Sequence, residues 1–316
     1  MELIVVKIGG AAGVDAEAVC ADISAITRTG LSVIVVHGTS AAADALAARV
    51  GLEVRHLVSA SGPVSRYTNP EMLPIYVAAA AGQVNKDLVS RLQRLGCDAI
   101  GLSGMDGRLL LAERKSALRV VENGRQRVVR DDYSGHLLSA NGRLLNMLLD
   151  GGYVPVVAPL ALGTAGEPLN VDGDRVAALL AGTVGAEALV ILSNVPGLLA
   201  SYPDERTLVR HVPWATLGTA ELMAHGRMKK KLLAAREAWS AGVRRVILAD
   251  ARRPEPLQAA LAGEGTVFGD ATALSESPGF AGTPPLGTPP LRVRVGYPAA
   301  LAVSQVLRPL GSVEER

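Results

Sequence analysis

The chain has 316 residues, of which 49% are hydrophobic and 3% aromatic, and 32 basic against 30 acidic residues give it a formal net charge of +2. A chain of this length and hydrophobicity can bury a substantial core, either as one large α/β domain or as two closely packed lobes. The near-neutral charge and the scarcity of aromatic rings argue against a nucleic-acid-binding protein, which needs a basic surface and stacking residues.

Neither the amino-terminal stretch nor the cysteines indicate an exported protein. MELIVVKIGG combines an acidic second residue with a short apolar run, unlike a signal peptide, and no apolar run reaches the length of a membrane span. Cys20 and Cys97 lie far apart and belong to no metal-binding pattern, so we expect both to be reduced core residues. These features predict a cytoplasmic protein with no membrane partner.

Predicted strands and helices alternate along most of the chain. Continuous apolar, β-branched runs indicate strands that are covered on both faces, and amphipathic runs between them indicate helices. This alternation predicts an α/β fold, a three-layer αβα sandwich with a mainly parallel open central sheet. The predicted strands are 3–6, 33–36, 153–157, 189–192 and 246–248, and the predicted helices are 41–50, 73–95, 143–149, 176–184, 220–241 and 256–262.

Two segments differ from this alternation. Apolar and polar residues alternate on both sides of Asn123-Gly124, a turn pair typical of two-residue hairpins, and predict a β-hairpin that projects from the main sheet. Its span, Arg108 to Arg130, holds seven basic and two acidic residues, a local charge of +5 in a chain of net +2. Residues 271–316 repeat Pro and Gly without a sustained period, which predicts an irregular tail.

The first two strands end in glycine turns. In KIGG, Lys7 precedes Gly9 and Gly10; a lysine and glycine amides suit a phosphate group, although this order is not that of a Walker A loop, and an exposed strand-end lysine is the alternative. The second strand ends in HGTS, where glycine again precedes a helix, and helix capping is the alternative for both hydroxyls. His37 has no visible partner, so we expect a structural role for it.

Two polar stretches later in the chain suit charged ligands. LNVDGD spaces Asn170, Asp172 and Asp174 like calcium ligands, but the twelfth position of such a loop is Ala181, which excludes an EF-hand. GRMKKK opens a predicted helix with lysines at 229–231, where cations oppose the helix dipole unless an anion lies nearby. An exposed charged run is the alternative.

Taken in order, these motifs resemble those of the amino acid kinase family. KIGG, HG after the second strand, LNVDGD, ALVILSNVPG and GRMKKK occur in the family's order, and the resemblance extends over residues 1 to about 268. Within the family the chain resembles the acetylglutamate kinase branch. SRYTNPEM, GQVNKDLVSRLQRLG, GLSGMDG and RDDYSG are most similar to kinases that act on LysW-linked aminoadipate in lysine biosynthesis.

The resemblance implies phosphoryl transfer from ATP, bound with Mg²⁺, to a side-chain carboxylate, in a kinase domain of residues 1–270. An acyl-substrate lobe would extend to about residue 160 and a nucleotide lobe from about 161 to 270. Lys7 and Lys231 match lysines that stabilise the transition state, and Asp174 matches the acid that holds them. Magnesium would come with the nucleotide and not from a protein metal site. The matching substrate positions are Gly38, Thr39, Arg66 and Asn170, and the matching nucleotide positions are Gly9, Gly10, Ser193, Asn194 and Gly197.

The chain departs from the family pattern in three places, which bear on efficiency more than on reaction type. Thr39 stands where a second glycine is usual, Arg227 replaces a glycine, and Asn194 replaces an aspartate. Three hypotheses are open, and the departures at Thr39 and Arg227 motivate the third. The first is a kinase for LysW-linked aminoadipate or glutamate, the second a kinase for free N-acetylglutamate in arginine biosynthesis, and the third a non-catalytic regulatory subunit that binds nucleotide or amino acid.

The basic hairpin indicates which partner the chain has. An acidic carrier protein that presents the substrate would be steered by such a patch, whereas a free amino acid does not need it; ordinary surface arginines are the alternative. The family also implies a homodimer, with the apolar helix 73–81 as the candidate contact and buried core as the alternative. The predicted contacts to LysW are Arg114, Lys115, Arg119, Arg125 and Arg127.

Overall fold

The computed structural model describes residues 2–59, 64–122 and 125–270. Its strands are β1 (Leu3–Ile8), β2 (Ser32–His37), β3 (His56–Ser59), β4 (Val64–Arg66), β5 (Ala99–Gly104), β6 (Leu110–Arg114), β7 (Leu118–Glu122), β8 (Arg125–Val129), β9 (Gly135–Ala140), β10 (Val154–Gly163), β11 (Pro168–Asn170), β12 (Ala188–Ser193), β13 (His211–Val212), β14 (Arg245–Asp250) and β15 (Thr266–Phe268). Its α-helices are α1 (Ala16–Thr27), α2 (Ser40–Arg49), α3 (Met72–Val77), α4 (Asn85–Arg94), α5 (Gly142–Asp150), α6 (Gly173–Val184), α7 (Leu217–Met223), α8 (Met228–Ser240) and α9 (Pro256–Leu261).

The large sheet has a parallel centre, as predicted. Its strand order is β13-β15-β14-β12-β1-β2-β10-β6-β9, and β5 and β11 also pair with β10. From β14 to β10 the neighbouring strands are parallel, whereas β9, β11 and the β14 to β15 pair are antiparallel. Every residue of β1 and β12 is buried, because helices cover both faces of the sheet and only continuous apolar runs suit such strands.

Alternate residues of the central strands pack against different helices. Val5 and Ile191 belong to a core with residues of α5, α6, α7 and α8, whereas Val6 and Leu192 belong to a second core with residues of α1, α4 and α9. Side chains alternate between the two faces of a strand, so two separate helix layers result. The predicted three-layer αβα sandwich is confirmed.

The basic segment forms part of a second sheet. β7 and β8 pair antiparallel, with Glu122 opposite Arg125, but β7 also pairs with β3, and the sheet order is β4-β3-β7-β8. The prediction of a hairpin that projects from the main sheet is therefore not confirmed. The predicted turn, Asn123 and Gly124, lies outside the described residues.

Two predicted helices are interrupted. The helix predicted over 73–95 contains a π-helical segment, Ala78–Val84, between α3 and α4. The helix predicted over 220–241 is broken between α7 and α8, where Gly226 adopts φ +52°. In the first of these helices Tyr76 and Ala80 are buried against the chain's own β10, which favours the core interpretation of that helix.

The irregular tail predicted for residues 271–316 lies outside the described residues. Among the residues that are described, no helix combines the length and hydrophobicity that a membrane crossing requires.

Candidate active site

The carboxyl ends of β1, β2 and β12 meet at one edge of the large sheet. An open cleft of about 740 Å³ follows this edge and continues between α6 and α8. The structure brings every predicted catalytic, substrate and nucleotide residue into this one cleft. These residues are Lys7, Gly9, Gly10, Gly38, Thr39, Arg66, Asn170, Asp174, Ser193, Asn194, Gly197 and Lys231.

Asp174 lies between two lysines. Lys7 Nζ is 2.7 Å from Asp174 Oδ1, and Lys231 Nζ is 3.2 Å from Asp174 Oδ2; all three residues are buried, and we call them the charged cluster. Burial alone would raise the pKa of the Asp174 carboxyl, but the charges of Lys231 and Lys7 lower it well below its usual range. Burial lowers the pKa of the Lys231 ammonium, which Asp174 partly offsets. Two cations and one anion leave the cluster at net +1, so it can attract a further anion.

Asp172, to which the sequence analysis assigns no role, positions the charged cluster. Its Oδ1 accepts hydrogen bonds from the backbone nitrogens of Asp174 and Arg175, at 3.0 and 3.3 Å, and so caps α6. Its Oδ2 lies 3.6 Å from Lys230 Nζ. An aspartate directly before a helix is a known N-cap signal, so the sequence could have revealed this role.

The glycine turns after β1 and β2 touch backbone to backbone. A Cβ placed on Gly10 would lie 2.3 Å from Thr39 N, and one placed on Gly38 would lie 2.3 Å from Gly10 N. The Ser40 hydroxyl joins the turns by donating a 2.8 Å hydrogen bond to Gly10 O, and Ala41 N donates to the same oxygen at 2.8 Å. Helix capping is thus the wrong interpretation of Ser40. Thr39 occupies the N-cap position of α2 but makes no side-chain cap bond either.

His37 has the structural role that the sequence analysis expects. Its Nδ1 lies 3.2 Å from Gly38 O, and its Nε2 lies 3.3 Å from Asn85 Nδ2, which also donates to Val156 O. Burial lowers the pKa of the imidazole to about 4, so the ring is neutral at pH 7. A neutral ring that donates from Nδ1 and accepts at Nε2 satisfies both contacts.

On the second-sheet side of the cleft, the predicted substrate residues are already engaged. Arg66 Nη1 pairs with Asp44, and its Nη2 donates to Ser40 O at 3.0 Å. Asn170 Nδ2 donates to Thr68 Oγ1 at 2.8 Å. These bonds hold both side chains at the cleft, and a carboxylate ligand would compete with Asp44 for the guanidinium.

The predicted nucleotide residues fall into two kinds. Ser193 is buried and Asn194 exposed, and both are at the cleft, where β12 ends. Gly197 allows close packing, because a Cβ there would lie 2.5 Å from Thr266 Oγ1. The sequence gives no sign of the apolar side chains that also line the cleft, since they come from separate loops and helices and form no motif. They are Leu199, Tyr202, Met223 and Met228.

The five predicted carrier contacts divide into three groups. Arg114 is part of the fold: its guanidinium stacks 3.7 Å from the ring centre of Tyr133, and its Nε donates to Asp132 O at 2.9 Å. Lys115 is half-buried and lines the cleft. The remaining three side chains are exposed on β7 and β8 of the second sheet: Arg119, Arg125 and Arg127.

Lys115 lies among the charges of the cleft. Burial lowers the pKa of its ammonium, Asp132 raises it, and Lys230 and Arg175 lower it. Within the described residues no carboxylate lies within ion-pairing distance of its Nζ. Its position therefore favours a role at the cleft over one in docking a partner.

The cleft suits a nucleoside triphosphate. The charged cluster offers a surplus positive charge beside glycine turns, and the apolar side chains that line the cleft, among them Tyr202, suit a base. Arg227 adds an exposed cation at the start of α8. Over the described residues, no three His, Cys, Asp or Glu side chains are grouped to hold a metal ion.

Comparison with known proteins identifies a family and individual proteins that the chain resembles. The profile of the amino acid kinase family matches residues 2–250. The LysW-aminoadipate kinases of Thermus thermophilus and Deinococcus radiodurans are 49% and 47% identical over 267 residues; each alignment covers 84% of this chain, and 99% and 91% of those proteins. Among solved structures, the carbamate kinase from Giardia lamblia bound to AMP-PNP superposes with a TM-score of 0.60 at 19% identity, over 84% of this chain and 98% of that one, a likeness of fold alone.

Proposed function

The chain belongs to the amino acid kinase family, and we propose that it transfers a phosphoryl group from ATP to the side-chain carboxylate of 2-aminoadipate linked to the carrier protein LysW. The products are ADP and an acyl phosphate, and the reaction is a step of lysine biosynthesis. Carrier-linked glutamate, which is one methylene shorter, is the second acceptor of this class and would serve arginine biosynthesis.

The observation that carries this proposal is the charged cluster of Lys7, Asp174 and Lys231. When bound, Mg-ATP supplies the phosphoryl group and divalent counter-charge. Phosphoryl transfer spreads negative charge over the transferred oxygens, and fixed cations stabilise that charge without having to reorganise. Lys7 and Lys231 provide such cations, and Asp174 holds both ammonium groups through its two oxygens.

The acceptor needs no general base in this mechanism. A carboxylate is already ionised at neutral pH, so its oxygen can attack without losing a proton. Asp174 is accordingly not a proton acceptor, because its lowered pKa keeps it ionised and paired. His37 stays out of the reaction for a similar reason, since it is buried, neutral and engaged on both ring nitrogens.

Two predicted residues suit the acceptor itself. Arg66 and Asn170 line the cleft beside the second sheet, where Arg66 ends β4 and Asn170 donates to Thr68. A guanidinium can bind a carboxylate of the acceptor and an amide can bind its polar groups, so the reacting carboxylate would point toward the charged cluster. The two substrates would then meet at the glycine turns, with Gly10 and Gly38 between them.

A carrier protein is supported by exposed arginines on the second sheet. Arg119 and Arg125 are exposed on neighbouring strands, and the sheet adjoins the acceptor side of the cleft through Arg66 at the end of β4. A basic surface here would steer an acidic carrier so that its attached acid enters the cleft. A homodimer and a cytoplasmic location remain predictions from the sequence.

A release assay tests the proposal. ADP release from Mg-ATP is measured with carrier-linked aminoadipate, carrier-linked glutamate, free aminoadipate and free N-acetylglutamate. Lys231→Met should lower kcat by about a hundredfold or more, whereas Lys229→Met, on the same helical turn but exposed and outside the cleft, should not. Turnover confined to carrier-linked acids supports the proposal. Preference for free N-acetylglutamate would support phosphoryl transfer to a carboxylate but contradict a carrier-linked acceptor. Nucleotide binding without turnover would favour the regulatory subunit.

A further inference from the structure

Asn85 is a buried amide at the start of α4, and its contacts lead to the glycine turn after β2. Its Nδ2 donates to Val156 O at 2.9 Å and lies 3.3 Å from His37 Nε2. On the other side of the imidazole ring, His37 Nδ1 lies 3.2 Å from Gly38 O. Helix α4 therefore reaches the Gly38 carbonyl through one imidazole.

A π-helical segment brings Asn85 to this position. The helix buries Tyr76 and Ala80, and an uninterrupted α-helix would continue that buried face at Asp87, which is exposed. The π-helical segment Ala78–Val84 shifts the buried face, so that Asn85 points inward. Such segments are rare and frequently lie at functional sites. In this chain the segment places an amide against the imidazole.

The contact to Gly38 O determines which way the next backbone N–H points. In a planar trans peptide, the C=O and the following N–H point in opposite directions. The ring of His37 contacts α4, whereas Lys7 pairs in register with Val36, the residue before His37, and so lies on the opposite face of the sheet. With Gly38 O held by His37, the Thr39 N–H is directed toward the Lys7 side, where the charged cluster lies.

The Thr39 N–H is available to a ligand. Over the described residues it donates to no backbone or side-chain acceptor, and Thr39 lines the cleft. An N–H beside the fixed cations of the charged cluster suits the negative charge that develops on a transferred phosphoryl group. We infer that His37 and Asn85 are positioning residues, which hold the Gly38 peptide so that the Thr39 N–H donates to the transferred phosphoryl group. The role in transfer rests on the proposed function, whereas the orientation of the N–H does not.

Two substitutions of His37 separate its two contacts. The side-chain amide of Asn lies near the position of Nδ1 and can still donate to Gly38 O, whereas that of Gln lies near the position of Nε2 and can still accept from Asn85. Complete loss of a preorganised donor costs about a hundredfold or more in kcat, so His37→Gln, which leaves the donor misdirected, should lower kcat by about tenfold or more. His37→Asn should lose clearly less. KM for Mg-ATP and for the acceptor should stay near the wild-type values in both variants, because the N–H acts on charge that develops during transfer.

Asp22→Asn is the control for a loss of stability alone. The Asp22 carboxylate is buried and accepts from Leu257 N at 2.7 Å, between α1 and α9 and outside the cleft. This substitution should lower the unfolding temperature and leave kcat unchanged. Both His37 variants should also unfold at lower temperatures, since each leaves one buried contact unmade. A difference in kcat between the two His37 variants therefore reports on the Gly38 peptide and not on stability.

Nuclear magnetic resonance gives a readout that does not depend on turnover. In isotope-labelled protein, the chemical shift of the Thr39 amide should move in His37→Gln and stay closer to the wild-type value in His37→Asn. Asp22→Asn should leave this signal in place.

The kinetic and spectroscopic results separate the inference from the proposed function. Larger losses of kcat in His37→Gln than in His37→Asn, with KM unchanged, support both. Equal losses of kcat in the two variants, or a Thr39 signal that does not move in His37→Gln, would overturn the inference and keep the proposed function. A wild-type protein that turns over none of the acceptors, although its Thr39 signal follows the expected order, would overturn the proposed function and keep the orientation of the N–H.

Discussion

The members of the charged cluster should differ in what their loss does to stability, because one carboxylate serves two ammonium groups. Asp174→Ala leaves two buried cations without a counter-ion, and removal of one partner from a buried pair costs about 3–5 kcal/mol. Lys231→Met leaves Asp174 paired with Lys7 at 2.7 Å, so it should destabilise the fold much less. Both should lower kcat by about a hundredfold or more.

Thermal unfolding and ADP release, measured on the same preparations, separate the two effects. Lys229→Met, exposed on the same helix, is the control for the lysine substitution. Equal unfolding temperatures for Asp174→Ala and Lys231→Met would contradict the assignment of Asp174 as the shared counter-ion.

Because His37 is buried and neutral, we expect the free energy of unfolding to depend on pH in a defined way. Its pKa is about 4 in the folded protein against an ordinary 6.5, so the unfolded chain binds the proton more readily. The stability that neutral His37 contributes is complete above pH 6.5 and is lost as the pH falls toward 4, on the order of 3 kcal/mol in total. Denaturant unfolding between pH 4 and 7 should show a flatter profile for His37→Gln than for the wild type. A control, His225→Gln, alters an exposed side chain and should keep the wild-type slope.

At the scale of single residues, sequence motifs predict which residues take part in the reaction better than they predict the contacts that hold those residues in place. The lysines and the acid of the charged cluster belong to an ordered set of motifs, and Asp172 carries a recognisable N-cap signal. Nothing in the sequence shows that Arg114 stacks on Tyr133 or that Lys115 turns into the cleft. Both are tertiary contacts of residues that look alike in a basic run.

At the scale of whole elements, the backbone contact between the glycine turns after β1 and β2 is the feature whose stability we expect one added methyl group to lower most. Gly10→Ala and Gly38→Ala each place a Cβ 2.3 Å from backbone atoms of the other turn, so the β1 and β2 ends must separate. We expect either change to abolish turnover and to lower the unfolding temperature. Gly218→Ala in α7 meets nothing within 4 Å and should be neutral or stabilising by about 0.4–1 kcal/mol.

Calorimetric unfolding of the three alanine variants, with ADP release alongside, checks this prediction. If Gly10→Ala kept both wild-type turnover and wild-type stability, the backbone contact between the turns would not be needed for the site.

Among whole elements, the buried parallel strands were the most predictable. Continuous apolar runs located β1, β2, β12 and β14 to within two residues at either end, because both faces of these strands are covered. β10 continues six residues beyond its prediction, since it goes on to pair with β6 and β11. The sequence pattern does not predict helix α1 or strand β5, although α1 buries Val19, Ile23 and Ile26 at helical spacing.

At the scale of the whole molecule, the predicted basic patch separates into parts with different consequences for kinetics. Lys115 lines the cleft, so Lys115→Met should lower kcat/KM by a similar factor for carrier-linked aminoadipate and for free N-acetyl-aminoadipate. A substantial loss, about tenfold, is expected where a cation contacts a charged ligand. Steady-state kinetics with both acceptors checks this. A loss confined to the carrier-linked acceptor would indicate that Lys115 contacts the carrier protein and not the attached acid.

Arg119 and Arg125 should act in the opposite way, because they are exposed on β7 and β8 outside the cleft. Charges at the rim of an interface act mainly on the rate of encounter, and salt screens them over about 10 Å at 0.1 M. Arg119→Glu and Arg125→Glu, singly and together, should therefore lower kcat/KM for the carrier-linked acid by about tenfold at low salt and leave kcat/KM for free N-acetyl-aminoadipate unaffected.

Raising the salt to about 0.5 M should lower kcat/KM of the wild type toward that of the variants, since the Debye length then shortens to a few ångströms. Arg94→Glu, exposed on α4 outside both the second sheet and the cleft, is the charge-matched control. Equal losses with the two acceptors, or a salt dependence that survives in the double variant, would show that the carrier approaches by another surface.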